Sequence, residues 1–97
     1  MKTSELTGTA LNSAVMSCEG LSKRLFGDIN YSGDWSYGGP IIERERIELE
    51  HDGFKWWARI KADEDFSGST PLIAAMRCYV AASWGDDVPA ELTKVKP

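Results

Sequence analysis

The sequence predicts a small single α+β domain in which an antiparallel β-hairpin or sheet packs against two main helices. Two segments with apolar residues at helical spacing predict the helices, and two alternating segments joined by an Asp-Gly pair predict the hairpin. The chain has 97 residues, of which 42% are hydrophobic and 27% are charged. This length and composition are typical of one globular domain rather than of a disordered chain.

The first helix is predicted at about residues 8 to 19. Its apolar stripe consists of Leu11, Ala14, Val15 and Cys18. Thr7 precedes the stripe as a typical N-cap, and Gly20 follows it as a typical helix stop. Leu21 to Asn30 is predicted as a connector, with an added strand of the sheet from the Leu21 to Tyr31 region as the alternative.

The segment from Tyr31 to Pro40 is rich in aromatic residues and glycine. Its aromatics are Tyr31, Trp35 and Tyr37, and its glycines are Gly33, Gly38 and Gly39. Glycine lets the backbone approach another group closely, and large rings in a loop need a surface on which to pack. The pattern indicates a structured loop used for recognition, after which Pro40 starts a short helical turn. For Trp35, the ring either plugs the fold or stacks on a ligand.

Two alternating segments predict the hairpin, with strands at residues 46–50 and 54–60. The turn between them contains Asp52-Gly53, the preferred pair of a type I′ turn. Alternation places four residues on the core face, namely Phe54, Trp56, Ala58 and Ile60. Trp57 falls on the opposite face between Lys55 and Arg59, where it suits stacking on a flat ligand or contact with a second subunit.

The clearest helix signal begins at Thr70, the predicted N-cap, and Pro71, the predicted first helical residue. This helix is predicted to end at Gly85. We expect residues 62–68 before it to form an acidic loop. Residues from about 86 to 97 contain few apolar side chains, so we expect them to be a fraying tail.

Composition and residue types exclude several kinds of chemistry. The formal net charge of −4 argues against binding to DNA, and the single histidine, His51, makes a Ser-His-Asp triad improbable. Cys18 and Cys78 belong to no metal-binding motif, so we interpret them as reduced thiols, with a disulfide between the two helices as the alternative. The apolar runs are shorter than the roughly 18 residues of a membrane span. We therefore predict no membrane partner, metal, cofactor or catalytic residue, and no enzymatic activity.

Arg77 lies in a helix that is otherwise apolar or small. Its guanidinium is predicted either to pair with a carboxylate such as Glu43 or to contact the anionic part of a ligand. The start of the same helix, at Thr70, offers N–H groups to an anion. The predicted ligand-binding residues are Tyr31, Trp35, Tyr37, Gly38, Gly39, Arg44, Trp57, Thr70 and Arg77.

Three stretches of the chain resemble the phage NinX-like proteins. They are Leu6-Thr7-Gly8 with the helix that follows, Asp34-Trp35 with Gly38-Gly39-Pro40-Ile41-Ile42-Glu43-Arg44, and Thr70 to Val80. Family members often carry Ser-Pro-Ser-Thr before the Asp-Trp pair, where this chain has Tyr31-Ser32-Gly33. The resemblance implies a phage accessory protein that works in the cytoplasm of the bacterial host.

Two functions follow from these patterns as hypotheses. The first is a counter-defence protein that sequesters a small nucleotide-derived ligand without turning it over, with the ligand held by aromatic rings and arginines in a homo-oligomer. The alternative is a module that inhibits or recruits a host or phage protein through an acidic and aromatic surface. The acidic residues of that surface are those from Glu43 to Glu50 and from Asp63 to Asp65. An enzyme that uses these acids with a metal ion is a weaker third interpretation.

Overall fold

The computed structural model describes residues 1–61 and 64–93. Within them, the helices are α1 Gly8–Cys18, α2 Lys23–Phe26, α3 Trp35–Glu45 and α4 Pro71–Trp84. The strands are β1 Glu48–His51, β2 Trp56–Arg59 and β3 Phe66–Gly68, and short 3₁₀ turns span Thr3–Glu5 and Ala90–Thr93. The α+β class and the packing of an antiparallel sheet on helices are confirmed.

The three strands form one antiparallel sheet in the order β1-β2-β3. Leu49, Ala58 and Phe66 lie side by side across it; Ala58 and Phe66 belong to the hydrophobic core, and the partly buried Leu49 packs against it. This inner face packs on α4, which contacts both β2 and β3. The outer face carries Trp57, paired with Glu50 on one side and Ser67 on the other. Among the described helices, only α4 makes extensive contact with the sheet.

Helix α4 is the centre of the fold, since it contacts the sheet as well as α1 and α3. Its start is the predicted one: the Thr70 side chain accepts a hydrogen bond from the Ile73 amide at 3.1 Å, and Pro71 is the first helical residue. Gly85 ends the helix with φ of 83°, a conformation that favours glycine. A broad apolar face is buried because the helix has neighbours on two sides.

The predicted glycine-aromatic loop is wrong, because an α-helix begins at Trp35. Asp34 caps it, since its side chain accepts a hydrogen bond from the Ser36 amide at 2.9 Å. Pro40 lies inside the helix rather than at its first residue. Arg46 ends the helix in the left-handed conformation, with φ of 55°.

Gly38 explains why this helix can lie where it does. A Cβ at this position would come within 2.5 Å of the Tyr31 carbonyl oxygen and of Leu72 Cδ2. The absence of a side chain therefore allows α3 to approach the segment before it and the first turn of α4. Gly38 serves close packing and not a turn.

The third strand comes from an unexpected place. Residues 66–68, predicted as part of an acidic loop, pair with β2, and Phe66 is buried. The alternative strand in the Leu21 to Tyr31 region is wrong, since its regular element is the short helix α2. Of the predicted acidic loop, residues 62 and 63 lie outside the described residues.

The tip of the hairpin is longer than the Asp-Gly pair predicts. Residues 52–55 form it, and β2 begins at Trp56. Asp52 Oδ1 accepts hydrogen bonds from the amides of Phe54 and Lys55, which fixes the turn. Phe54 is consequently 93% exposed, so its predicted place in the core is wrong.

The described part of the predicted tail is packed. Val88 is 1% exposed and belongs to the core. The Thr3 amide donates to the Asp86 carbonyl at 2.9 Å, and Lys2 forms a β-bridge with Asp87. The prediction of fraying is therefore wrong for residues 86–93, while residues 94–97 lie outside the described residues.

Candidate functional site

The predicted ligand-binding residues do not surround one loop. Tyr31 precedes α3, and five of the others lie on that helix: Trp35, Tyr37, Gly38, Gly39 and Arg44. Thr70 is the N-cap of α4, Arg77 lies within α4, and Trp57 lies on β2.

Arg44 is held by two carboxylates. Its Nη1 and Nη2 atoms donate to Glu19 at 3.1 and 2.7 Å, and its Nε donates to Glu45 at 2.8 Å. The bond from Arg44 lowers the pKa of Glu19, although burial of that carboxyl acts in the opposite direction. Two negative charges surround one positive charge here, so this site does not attract a phosphate.

Tyr79 completes this network from α4. Its hydroxyl donates to Glu19 Oε2 and accepts from Arg44 Nη2 at 3.0 Å, and the guanidinium lies 5.6 Å from the ring centroid. Burial, and then the bond to Glu19, raise the pKa of Tyr79. The sequence did not indicate Glu19 or Tyr79 as site residues. A hydroxyl within the apolar stripe of α4 was the one available signal.

Tyr31 and Tyr37 contact each other edge to face, with ring centroids 6.3 Å apart. Tyr31 is 5% exposed, and burial raises its pKa. Its ring is thus part of the core, whereas Tyr37 remains about half exposed. The pair anchors the start of α3 on the segment before it.

Arg77 donates to two backbone carbonyls. Its Nε bonds to the Leu6 oxygen and its Nη1 to the Ser67 oxygen, both at 2.7 Å. The expected carboxylate partner Glu43 does not take part in these bonds. Burial lowers the pKa of the guanidinium. Arg77 therefore ties β3 to the residue that precedes α1.

Trp35 keeps half of its surface exposed at the start of α3. Its ring lies over Gly39, since a Cβ there would be 3.6 Å from Cε3 of the tryptophan. Thr70 caps α4 as described above, so its hydroxyl is already used. The arginines that the sequence grouped with them bond to other residues: Arg44 to Glu19 and Tyr79, and Arg77 to Leu6 and Ser67.

The outer side of the sheet forms a different surface, which we call the acidic sheet face. It comprises Glu48, Glu50, Asp52, Lys55, Trp57, Arg59 and Asp65. Trp57 is half-buried at its centre. Its Nε1 donates to Asp52 Oδ2 at 2.7 Å, and the Lys55 ammonium lies 4.9 Å from the ring centroid. The tryptophan bond and two backbone amides lower the pKa of Asp52 to about 2.

Negative charge dominates this face. Arg59 pairs with Asp65 at 2.6 Å and with Glu48 at 3.1 Å, which leaves Glu50 without an ion-pair partner among the described residues. A cleft of about 180 Å³ lies here and is lined in part by Glu50, Trp57 and Arg59. The face thus combines a fixed aromatic ring with four carboxylates and two cations.

Comparison with known proteins identifies the family. The profile of the family described as Bacteriophage P22, NinX matches residues 2–83, which include every helix and strand except the last residue of α4. The chain belongs to this family. It is accordingly a phage accessory protein. A comparison with curated proteins found no match.

Three further observations bear on the sequence predictions. None of the described helices is long and apolar enough to cross a membrane. Among residues 1–61 and 64–93, no group of three or more His, Cys, Asp or Glu residues is arranged to hold a metal ion. No disulfide joins Cys18 and Cys78, so the alternative of a disulfide is wrong.

Proposed function

We propose that this phage accessory protein binds another protein, one with a basic surface, through the acidic sheet face. The observation that carries the proposal is Trp57, held in place by Asp52 and Lys55 on a sheet face that no described helix covers extensively. Such a binding protein would inhibit or recruit a host or phage protein. Homo-oligomerisation and a cytoplasmic location in the host stay predictions.

The chemistry of the face suits this kind of partner. A tryptophan fixed before binding loses little conformational freedom in a complex, and tryptophan is enriched among the residues that dominate interface energies. Carboxylates around it complement lysine and arginine, and they accelerate association at low ionic strength. Phe54, at the exposed tip of the hairpin, adds apolar area beside the face.

Substitution of the face tests the proposal. We expect Trp57→Ala to weaken partner binding by about 2 kcal/mol or more, since truncation of a central aromatic has this effect. Glu50→Lys reverses an exposed charge that has no ion-pair partner in the part of the chain that the structure describes, so it is expected to weaken binding without changing the fold. Trp35→Ala is the control, because it removes a more exposed tryptophan that lies on α3 and not on the acidic sheet face.

The measurement starts from tagged wild-type and variant proteins in lysate of host cells, with bound proteins quantified by mass spectrometry. A basic protein that is lost with Trp57→Ala and Glu50→Lys, lost at high salt and retained with Trp35→Ala supports the proposal. Titration calorimetry with that purified protein then gives the change in affinity. Captured proteins that respond to neither face substitution contradict the proposal, provided that both variants melt near the wild-type temperature.

Nucleotide sequestration is the competing hypothesis, and it also stays a prediction. Arg44 and Arg77 were its expected phosphate ligands, but Arg44 already bonds to Glu19, and Nε and Nη1 of Arg77 bond to backbone carbonyls. We therefore expect no rise in melting temperature with ATP, ADP-ribose or cyclic adenine dinucleotides, measured by differential scanning fluorimetry. A rise that Trp35→Ala removes would favour sequestration over protein binding.

A further inference from the structure

A second cleft lies between the C-terminal half of α4 and the strands β2 and β3. Its volume is about 250 Å³, which is smaller than the roughly 300–1,000 Å³ of sites for drug-sized ligands. It shares no lining residue with the cleft on the acidic sheet face. The proposed protein-binding surface therefore does not account for it.

The floor of this cleft is apolar. Ile60, Phe66 and Cys78 are buried, and each contributes to the lining. Ala82 lies on the helix side, where its short side chain leaves the space open. A ligand that enters must therefore place hydrocarbon against this floor, because an unpaired polar group would lose its hydration there.

The rim carries charge of one sign. Glu64 and Asp86 are exposed lining residues, and no lysine or arginine of residues 1–61 and 64–93 lines the cleft. Neither carboxylate forms an ion pair with another described residue. Anionic ligands are repelled by this rim, and neutral ligands form no ion pair with it.

We propose that the cleft binds a free aliphatic diamine or polyamine. Methylene groups would cover the apolar floor while ammonium groups pair with Glu64 and Asp86 at the rim. Lysine side chains on protein surfaces bind in the same way, since their methylene stem packs on apolar surface while the ammonium group stays in a polar environment. Two carboxylates at the rim favour a ligand with two ammonium groups over one with a single charge.

The test compares three ligands of equal carbon chain: 1,5-diaminopentane, pentylamine and 1,5-pentanediol. We expect the diamine to bind more tightly than pentylamine, and the diol to show no binding. Titration calorimetry gives the affinity, and amide chemical shifts locate the ligand, with Ala81, Ala82 and Gly85 expected to move most. Binding of the diol as tightly as the diamine, or no shifts at these amides up to millimolar diamine, would overturn the proposal.

Variants separate the two kinds of contact. Glu64→Gln and Asp86→Asn are each expected to weaken diamine binding about two- to fivefold, the range typical of one exposed ion pair. Ala82→Phe fills the cleft from an exposed position and is expected to abolish binding. Glu50→Gln, which removes a carboxylate from the acidic sheet face, is the control and should leave the affinity unchanged. Equal affinity of the wild type and both rim variants would also overturn the proposal.

Cys78 offers a second readout that does not depend on charge. In a Cys18→Ser background, bound diamine should slow the reaction of the Cys78 thiol with a disulfide reagent, since the thiol lines the cleft. A reaction rate that diamine leaves unchanged while calorimetry reports binding would place the ligand elsewhere and refute the assignment to this cleft.

Discussion

Replacement of Gly38 by alanine is expected to destabilise the fold by about 3 kcal/mol, at the upper end of the usual cost of overpacking. The new Cβ would lie 2.5 Å from the Tyr31 carbonyl oxygen, which is a backbone atom, and from Leu72 Cδ2. A flexible side chain can turn away from such a contact, but the backbone of the preceding segment must shift as a unit. Chemical denaturation at equilibrium measures the loss through the midpoint and slope.

Gly39 provides the matched control, because it is the next residue of the same helix. A Cβ there would make an ordinary contact at 3.6 Å with the Trp35 ring. Alanine favours a helix interior over glycine by up to about 1 kcal/mol, so Gly39→Ala is expected to be neutral or stabilising. Equal losses for the two substitutions would mean that glycine serves flexibility in α3 and not close approach to Tyr31.

These two glycines also explain why the sequence predicted a loop where α3 lies. Propensity disfavours a helix with a Gly-Gly-Pro run in its interior. Tertiary packing overrides that preference because Gly38 lets the helix approach Tyr31 and the start of α4. The signal for α3 lay instead in Asp34, a typical N-cap two residues before the amide that it binds.

The other helices and strands could be predicted where residues within or next to the element mark its start and end. Helix α4 shows a cap, a proline and a terminal glycine in the sequence, and all three act as predicted. Strand β3 has three residues, too few for an alternating pattern to be visible. It pairs with β2, the strand directly before it in the chain, and the acidic residues that precede Phe66 concealed the strand. Phe54 left the core because Asp52 holds a longer turn than its Asp-Gly pair indicates.

The candidate site was harder to predict than the fold. Alternation correctly placed Trp57 opposite the core face, since side-chain direction in a strand follows a period of two. Two partners of Arg44, Glu19 and Tyr79, come from distant parts of the chain, and so does Leu6, a partner of Arg77. Those of Arg77 are backbone carbonyls, which have no residue-type signature, so no motif could indicate them.

Replacement of Arg77 by methionine is expected to cost about 2–4 kcal/mol of stability. Two hydrogen bonds from a charged donor are lost, and such bonds contribute a net of about 1.5–3 kcal/mol each. Part of this loss is offset because the folded protein no longer has to desolvate the guanidinium. Methionine keeps the apolar stem in place, so the loss reports on the guanidinium rather than on packing. Arg77→Lys should restore little of it, because one ammonium cannot reproduce the fork that reaches both carbonyls.

Arg24→Met is the control for this experiment, since Arg24 is exposed and its guanidinium has no partner among the described residues. The free energy of unfolding that denaturation gives for this variant should lie within about 0.5 kcal/mol of the wild-type value. A ligand-binding role for Arg77 makes the opposite prediction, because binding residues can be replaced with little loss of stability. If Arg77→Met unfolds at the wild-type midpoint, the bonds to Leu6 and Ser67 contribute little, and its guanidinium becomes available again as the anion ligand that the sequence suggested. If the midpoint falls as expected, Arg77 is a structural residue that holds β3 against the segment before α1. The acidic sheet face then remains the proposed binding surface.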